Sequence, residues 1–449
     1  MHDLTTGSIR RHLLKTTSFM LVTMVFQTLY FLIDLYWVGR LGSQAVAAVA
    51  VAGNLTFVVL AVTQMLAVGT TTVISHAVGA KDLPRAQLVF NQSQVLAGAA
   101  GIAFLGIAML LRVAYATTLS ADAVTAALAA DYLLWFIPAM ALQFAIVAMG
   151  AALRGTGNFK PGMVVQTMSV ILNMILAPFL IFGWITGRSL GVAGAALSSL
   201  VAVVVGTVWL AMYFLPVDAF LHFRRSLWRP RFDLWWQMLK VGLPAGAEFG
   251  LMAVYLFIVY TIMRPFGAPA QAGFGIGLRI VQAGFLPVVA LGFAVAPVAG
   301  QNFGARLRSR VKGTFKTAAM LAGMAMVALA VLCHIAPEAM ISVFSNDAEA
   351  IAVGEEYLRI VSWSFVGSGV VFVASSMFQA LGNTMPALIS SVARVAFVAI
   401  PLILLARLDG FQLRWIWYLS AASVAVQFGL TLTLLQREMR AKLPLEVVA

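Results

Sequence analysis

The sequence predicts an all-α polytopic membrane protein, with twelve transmembrane helices in two six-helix bundles related by pseudo-two-fold symmetry. Three observations lead there. Of the 449 residues, 62% are hydrophobic and 10% are charged, against about 25% charged in an average soluble domain. The apolar residues fall in twelve runs, each long enough to cross a ~30 Å hydrocarbon core as a helix. The chain also partly matches itself at a constant offset of 225 residues.

The runs cover roughly 16–39, 45–72, 88–111, 124–152, 161–186, 191–215, 238–263, 269–297, 313–335, 350–379, 386–406 and 413–436. With the N-terminus placed inside, the segments on that side hold twenty Lys and Arg, including Arg10, Arg11, Lys15, Arg224, Arg225, Arg229, Arg231 and Lys240. The opposite loops hold six: Arg40, Arg112, Arg188, Arg264, Arg407 and Arg414. Positive charge concentrates on the cytoplasmic side of a membrane protein, so both termini are expected inside. The same loops account for the net charge of +13, and no nucleic-acid partner is expected. The first run is too long for a cleaved signal peptide and ends without a small-residue cleavage pattern. Cys333 is the single cysteine and the five histidines are scattered, so neither a disulfide nor a metal cluster is expected and no cofactor is implied.

The repeat is carried by more than Ala, Gly and Leu. Tyr30 matches Tyr255, Gly42 matches Gly267, Gly79-Ala80 matches Gly304-Ala305, and Arg85 matches Arg310. Tyr132-Leu133 matches Tyr357-Leu358, Gly157-Asn158 matches Gly382-Asn383, and Pro161 matches Pro386. Six spans per repeat return the chain to the same side, so both halves enter the membrane in the same sense. The expected organisation is an N-terminal lobe (1–215), a linker (216–237) and a C-terminal lobe (238–449). The linker contains "LHFRRSLWRPRFDLWW", which reads either as a basic, aromatic segment lying along an anionic inner leaflet or as a plain tether.

The first-half stretches "DLYWVGRLGSQAVAAVAVA", "ISHAVGAKD", "ALRGTGNFKPG" and "GVAGAALSS" and the second-half stretches "VGLPAGAEFG", "GQNFGAR" and "QALGNTMPA" together resemble the multidrug and toxic compound extrusion (MATE) family. The resemblance runs from about residue 10 to 437. It implies a secondary active antiporter that exports amphipathic, mainly cationic drugs or metabolites in exchange for H⁺ or Na⁺, by alternating access of two lobes. It further implies a monomer in a membrane, a bacterial inner membrane being expected, with lipophilic cations and membrane lipid as its partners.

Asp34, in "YFLIDLYWVGRLG", is the polar residue that most needs an explanation. It lies roughly 9 Å beyond the midpoint of the first span at ~1.5 Å per residue, where an ionised carboxylate is costly. Gln27, Tyr30 and Asp34 stand at i, i+3 and i+7 and share a helix face. The functional reading is a proton or cation site open to a cavity, and the alternative is a pair with a neighbouring arginine. Arg40, six residues on, falls on the far side of the helix. The resemblance makes Asp34 the central coupling residue. Removal from water favours the neutral form of an acid, so a proton and a cationic cargo would compete for one carboxylate, each displacing the other.

The family often carries an Asn on the fifth span with an acid four residues later. Here Asn173 is present and Ala177 replaces the acid. A Na⁺ site benefits from more than one carboxylate, whereas proton coupling needs a single titrating acid, so H⁺ is the expected coupling ion, with Na⁺ as the alternative. Ser199 stands where the family often has a threonine. It is either part of the site or a small residue for close helix packing.

The second half offers Glu248, which shares a face of the seventh span with Met252 and Tyr255. Its repeat partner is Thr23 and that of Asp34 is Val259, so the two acids are not symmetric copies. Positions 360–379 contain no acid, unlike some branches of the family, which argues against an independent second cation site. Glu248 is read either as a transport residue or as the neutraliser of Arg279, Arg359 or Arg394. The substrate cavity is assigned to Gln27, Tyr30, Gln143 and Tyr255. A lipid-linked oligosaccharide flippase of the same superfamily is the alternative function. It would need an arginine- or lysine-rich pocket for a pyrophosphate, and the first half offers an acid instead. The loops contain neither acidic nor histidine clusters, which argues against an enzyme.

Overall fold

Long apolar runs bounded by glycine and short polar turns give long helices. The computed structural model describes residues 2–184, 187–216 and 219–443. Its α-helices are α1 (Ile9–Gly39), α2 (Ser43–Gly79), α3 (Leu83–Leu119), α4 (Ala123–Gly155), α5 (Lys160–Phe182), α6 (Gly191–Met212), α7 (Phe232–Met263), α8 (Gly267–Gly304), α9 (Arg308–Ile335), α10 (Pro337–Ser342), α11 (Ala348–Val361), α12 (Phe365–Ala380), α13 (Met385–Leu405) and α14 (Arg414–Lys442). No strand occurs among the described residues, and the all-α class is as the composition demands. In hydrocarbon a helix satisfies every backbone group within itself.

Two details differ from the twelve-run reading. Several helices overshoot their apolar run, α2 reaching Gly79 and α3 starting at Leu83, and the end of α2 is packed into the core through Val73, Ile74, Ala77 and Val78. The tenth run is two helices, α11 and α12, joined by a 3₁₀ turn at Ser362–Ser364. The side chains of Ser362 and Ser364 bond back to the carbonyls of Arg359 and Val361, and such back-bonding competes with regular helix.

The chain divides into two compact units. One is built from Ser18–Gly242, the other from Leu4–Thr17 together with the chain from Leu243 on. In the first, α4 packs against α2, α3 and α6, and α5 against α6. Small residues allow the close approach. A Cβ on Gly155 would collide with Ile74 and the Thr71 carbonyl, and nearby Thr71 donates to the Ala151 carbonyl at 3.0 Å. In the second unit, α8 packs against α9, α11 and α12, and α13 against α14. Gly273 there meets the Ala350 carbonyl, and Phe274 stacks on Trp417 with centroids 5.2 Å apart.

The repeat is visible in the backbone of both units. Among the described residues the two non-glycines with positive φ are Lys81 (59°) and Arg306 (60°), which are repeat partners. Each ends a helix in the left-handed conformation, and each turn is closed by the same bond, Asp82 N–H to Ala77 O and Leu307 N–H to Asn302 O, both 2.9 Å. Such bonds satisfy helix-end carbonyls and offset a strain of about 1–2 kcal/mol. Gly157 (77°) and Gly382 (69°) are likewise paired. The asparagine after each then donates to the same position of its unit, Asn158 to Tyr213 Oη at 2.8 Å and Asn383 to Glu438 Oε1 at 2.9 Å.

The expected linker is no loose tether. Its helical part, from Phe232, already belongs to α7, and the first unit extends to Gly242. Three amides on α3 hold it. Gln87 bonds the backbone of His222. Asn91 accepts from the Arg224 N–H at 2.9 Å and the Trp228 indole at 3.0 Å. Gln92 donates to the carbonyls of Leu227 (2.6 Å) and Arg229 (2.8 Å), and accepts from the Arg231 N–H (2.9 Å) and the Trp235 indole (3.0 Å). Phe223 packs on Phe90 with centroids 5.3 Å apart. In the second unit, Gln301, Asn302 and Arg310 hold the segment after residue 3. Leu4 N–H donates to Gln301 at 3.1 Å, and Arg310 donates to Asn302 at 2.8 Å and to the Gly7 carbonyl at 3.0 Å.

Replacing Gln92, which is fully buried, tests this grip. Gln92→Leu leaves two carbonyls, one backbone N–H and one indole N–H without their partner, at ~1–3 kcal/mol for each group that stays buried. The expected outcome is a loss of at least about 3 kcal/mol of stability, with faster cleavage between residues 219 and 231 in limited proteolysis. An unchanged cleavage pattern and melting temperature would show that the amides do not hold the segment.

Candidate cation and proton site

In the first unit the face of α1 that carries Tyr30 and Asp34 meets α5 and α6 through a short polar chain. Asn173 Nδ2 on α5 donates to Ser199 Oγ at 3.0 Å and lies 3.3 Å from Ser198 Oγ on α6. Ser199 Oγ in turn lies 3.0 Å from Tyr30 Oη and donates to the Ala195 carbonyl at 3.2 Å. A serine hydroxyl has one proton. With it on Ala195, Ser199 accepts from both Asn173 and Tyr30, and the Tyr30 proton is then unavailable to Asp34. Asp34 Oδ1 is shielded and has no hydrogen-bond partner among the described residues. Burying a polar oxygen without a partner costs on the order of 1–3 kcal/mol on mutational scales. Such a group needs a reason to be there.

Tyr132 on α4 completes the cluster, within electrostatic range of both Asp34 and Tyr30. It is buried and was not among the expected site residues, although the repeat marks it through its partner Tyr357. Ala177 is 1% exposed and one turn along α5 from Asn173, so a methyl group fills the place of the absent acid. Asn173 spends its amide nitrogen on the two serines, which leaves its carbonyl oxygen, with the oxygens of Asp34 and Tyr30, as the hard donors of the cluster. Gln27 is on the α1 face but exposed, and Gln143 on α4 is half-buried. Neither belongs to the hydrogen-bonded chain. Arg40, at the end of α1, lies over the rings of Tyr36 (5.6 Å) and Trp37 (6.0 Å) and forms no ion pair with Asp34 within 4.0 Å.

Glu248 anchors a separate network in the second unit. Ser391 Oγ donates to its Oε1 at 2.9 Å and Ser375 Oγ to its Oε2 at 3.0 Å. Gln427 Nε2 donates to Ser391 at 3.2 Å, and Arg394 Nη1 lies 3.5 Å from Gln427 Oε1. Every donor in this chain points towards Glu248. Arg394 sits 5.6 Å above the Tyr255 ring, and Tyr255 Oη is 2.7 Å from Ser420 Oγ. The reading of Glu248 as the direct partner of an arginine is not what the geometry shows. Among the described residues no arginine forms an ion pair with it within 4.0 Å, and Arg359 instead pairs with Glu355 at 2.8 Å. The expected site residues thus form two groups, Tyr30, Asp34, Asn173 and Ser199 in one unit and Glu248 and Tyr255 in the other. Ser375, Ser391, Ser420 and Gln427 escaped sequence reading because serine and glutamine on an apolar helix are more often packing residues.

The chain can be set beside known proteins on this geometry. The MatE family model matches residues 20–179 and 244–405, one block in each repeat. The multidrug export protein MepA of Staphylococcus saprophyticus is 28% identical over 375 residues, spanning 81% of this chain and 80% of that protein. The probable multidrug resistance protein YoeA of Bacillus subtilis is 25% identical over 413 residues, spanning 91% and 89%. A structure described as the outward-facing conformation of a multidrug resistance MATE family transporter of the MOP superfamily superposes with a TM-score of 0.89 at 22% identity, covering 98% of both chains. A MOP superfamily transporter from Pyrococcus furiosus, described as having a binding pocket of reverse polarity, superposes with a TM-score of 0.88 at 22% identity. Two matched blocks, one per repeat and together more than half of the chain, establish that the chain belongs to the MatE family of membrane transporters.

Proposed function

We propose that the protein is a secondary active antiporter that exports amphipathic, mainly cationic drugs or metabolites, in exchange for H⁺, by alternating access. The observation that carries this reading is the shielded, partnerless Asp34 oxygen beside Tyr30, Ser199 and Asn173. An acid in that position, half-buried with one oxygen shielded, holds a proton or a cation with the same group. It can accept a cation only when the proton has gone. Exchange follows from that exclusion, without further parts. The names of the relatives, multidrug export and multidrug resistance proteins, support drug-like cargo. Gln27, Tyr30 and Gln143 of the first unit and Tyr255 of the second are proposed as cargo-contacting residues, and Glu248 as a further coupling acid within the second unit. The protein is proposed to act as a monomer in a bacterial inner membrane with both termini cytoplasmic, the orientation resting on the loop charges.

H⁺ is preferred to Na⁺ because Ala177 leaves the first-unit cluster with one carboxylate. Two carboxylates side by side repel, and a metal cation relieves that repulsion. Anionic cargo, the mark of a flippase, fits this cluster poorly, since it is built from a carboxylate, phenols, hydroxyls and an amide.

In everted membrane vesicles with an imposed pH gradient, acid inside, a lipophilic cationic dye should be taken up into the lumen when the protein is present, and collapse of the gradient should release it. Asp34→Asn keeps the side-chain shape and removes the exchangeable proton. It is expected to lower exchange to background, at least about a hundredfold if the carboxylate is the coupling group, while inserting normally. Near-normal exchange by Asp34→Asn at equal protein levels would sink the mechanism. Ala177→Asp should create a Na⁺ response that the parent lacks, read as Na⁺-stimulated exchange without a pH gradient. Strong Na⁺-driven exchange by the parent itself would reverse the preference for H⁺.

Cargo charge is checked by binding one fluorescent cation and one anion of similar shape to purified protein. A single charge pair at about 4 Å is worth ~4 kcal/mol at an effective dielectric of ~20, so even after losses the cation should bind at least about tenfold better. Its affinity should fall on acidification from about pH 8 to about pH 5, because protonating the carboxylate removes the attraction. Equal affinities, or affinity flat across that range, would count against a shared carboxylate.

A further inference from the structure

Between His222 and Lys240 the chain interleaves Arg224, Arg225, Arg229, Arg231 and Lys240 with Phe223, Trp228, Phe232, Trp235 and Trp236. The transport reading makes no use of this density of charge and rings. The amide grip on α3 decides how it is displayed. The backbone of Arg224, Arg229 and Arg231 and the indole nitrogens of Trp228 and Trp235 are bonded inward to Asn91 and Gln92. The four arginine side chains consequently face out, and all four residues are exposed. So are large apolar rings, with Trp228 46%, Phe232 73% and Trp236 61% accessible. Phe232 and Trp236 stand at i, i+4 on the first turns of α7 and share a face.

The charge of this surface is not cancelled from within. Its one acid, Asp233, lies 3.7 Å from Arg231, and Arg224 donates to the His222 ring at 2.9 Å. Among the described residues Arg225 and Arg229 have no acidic partner within 4.0 Å. Exposed Arg85 reaches the same surface, since its Nη2 donates to Gln237 Oε1 at 3.3 Å. Unpaired guanidinium groups, exposed indole and phenyl rings, and a place beside span-length helices match the two layers of a membrane border. Phosphate lies in the outer layer, and the inner boundary favours amphipathic rings. Free phosphate would satisfy the arginines and leave the rings in water.

We propose that residues 224–240, with Arg85, form a binding site for anionic phospholipid headgroups in the leaflet that borders the arginine-rich loops. Arg225 and Arg229 take the phosphodiester, by the paired N–H geometry a guanidinium offers, and Phe232 and Trp236 enter the headgroup boundary beside it. The grip by Gln87, Asn91 and Gln92 pre-arranges these groups, so that little ordering cost falls on lipid binding.

The test uses purified full-length protein with phosphatidylglycerol, phosphatidylcholine or inorganic phosphate as the probe, and counts bound lipid by native mass spectrometry. The parent should prefer phosphatidylglycerol, lose that preference as ionic strength rises, and be indifferent to inorganic phosphate at equal concentration. R225Q/R229Q should weaken phosphatidylglycerol binding roughly thirtyfold, from the usual contribution of a basic residue near an anionic surface, and weaken binding of phosphatidylcholine, whose choline cation offsets the same phosphodiester, much less. F232S/W236S should weaken both lipids alike. Phosphatidylglycerol binding to the parent that ignores salt, or that inorganic phosphate displaces, would overturn the proposal without any variant. Parent-like affinity in R225Q/R229Q would overturn it equally.

Discussion

A polar group removed from water must find its partner inside the protein, and this one constraint shapes both units. Helices meet it for the backbone. Side-chain chemistry meets it elsewhere, by Thr71 on the Ala151 carbonyl, by Asn158 on Tyr213 and by Gln92 on four groups of the connecting segment. Against that background Asp34 Oδ1 is the one carboxylate oxygen among the few shielded side-chain atoms of the described residues that have no hydrogen-bond partner. Tyr30, Ser199 and Asn173 satisfy one another and leave the Asp34 oxygen out. A structural carboxylate would be expected to show the opposite pattern, hydroxyl donors aimed at it, as Ser375 and Ser391 are aimed at Glu248.

The contrast between the two acids reflects how a duplicated chain diverges. Backbone features that close turns are kept in both copies. Lys81 and Arg306 adopt the same left-handed conformation, and Gly157 and Gly382 share another. Tyr30 and Tyr255, also repeat partners, each hold a serine on the last helix of their own repeat, Ser199 and Ser420. The ionisable groups do not follow the repeat. One unit has a carboxylate without donors, and the other has a carboxylate joined to Arg394 by a chain of hydroxyl and amide. The turns are constrained by local sterics alone, which act identically in both copies. The polar networks depend instead on which side chains meet across helices, and those differ between the two copies.

Packing repeats the lesson on a larger scale. The amides on α3 and the Gln301–Asn302–Arg310 group each hold a segment that precedes a first helix of a repeat. These segments are held by burial of Leu4, Leu221 and Phe223 and by polar contacts together. Short polar side chains with several donors and acceptors fix their backbone groups. The arginines and tryptophans of the connecting segment are thereby displayed in a set arrangement and not on a flexible loop.

The sequence by itself determined the class, the number of spans, the duplication and the suspect acid. Each of those rests on local or periodic signals: run length against bilayer thickness, a constant offset of 225 residues, and the cost of a carboxylate in an apolar run. Asp34 was legible because one charge in a hydrophobic span needs no neighbour to be conspicuous. Its surroundings were only partly so. Asn173 and Ser199 came from family resemblance, and Tyr132 was seen as a repeat match but not as a site residue. Only the tertiary structure decided that Tyr30 closes on Ser199 and leaves Asp34 without a donor. It also decided that Glu248 is held by two serines and not by an arginine, that the tenth span is broken at Ser362–Ser364, and that the linker is gripped by three amides. All of these depend on which side chains meet across helices far apart in the chain, and apolar helices of similar composition carry no local signal of the face each will turn to its neighbour.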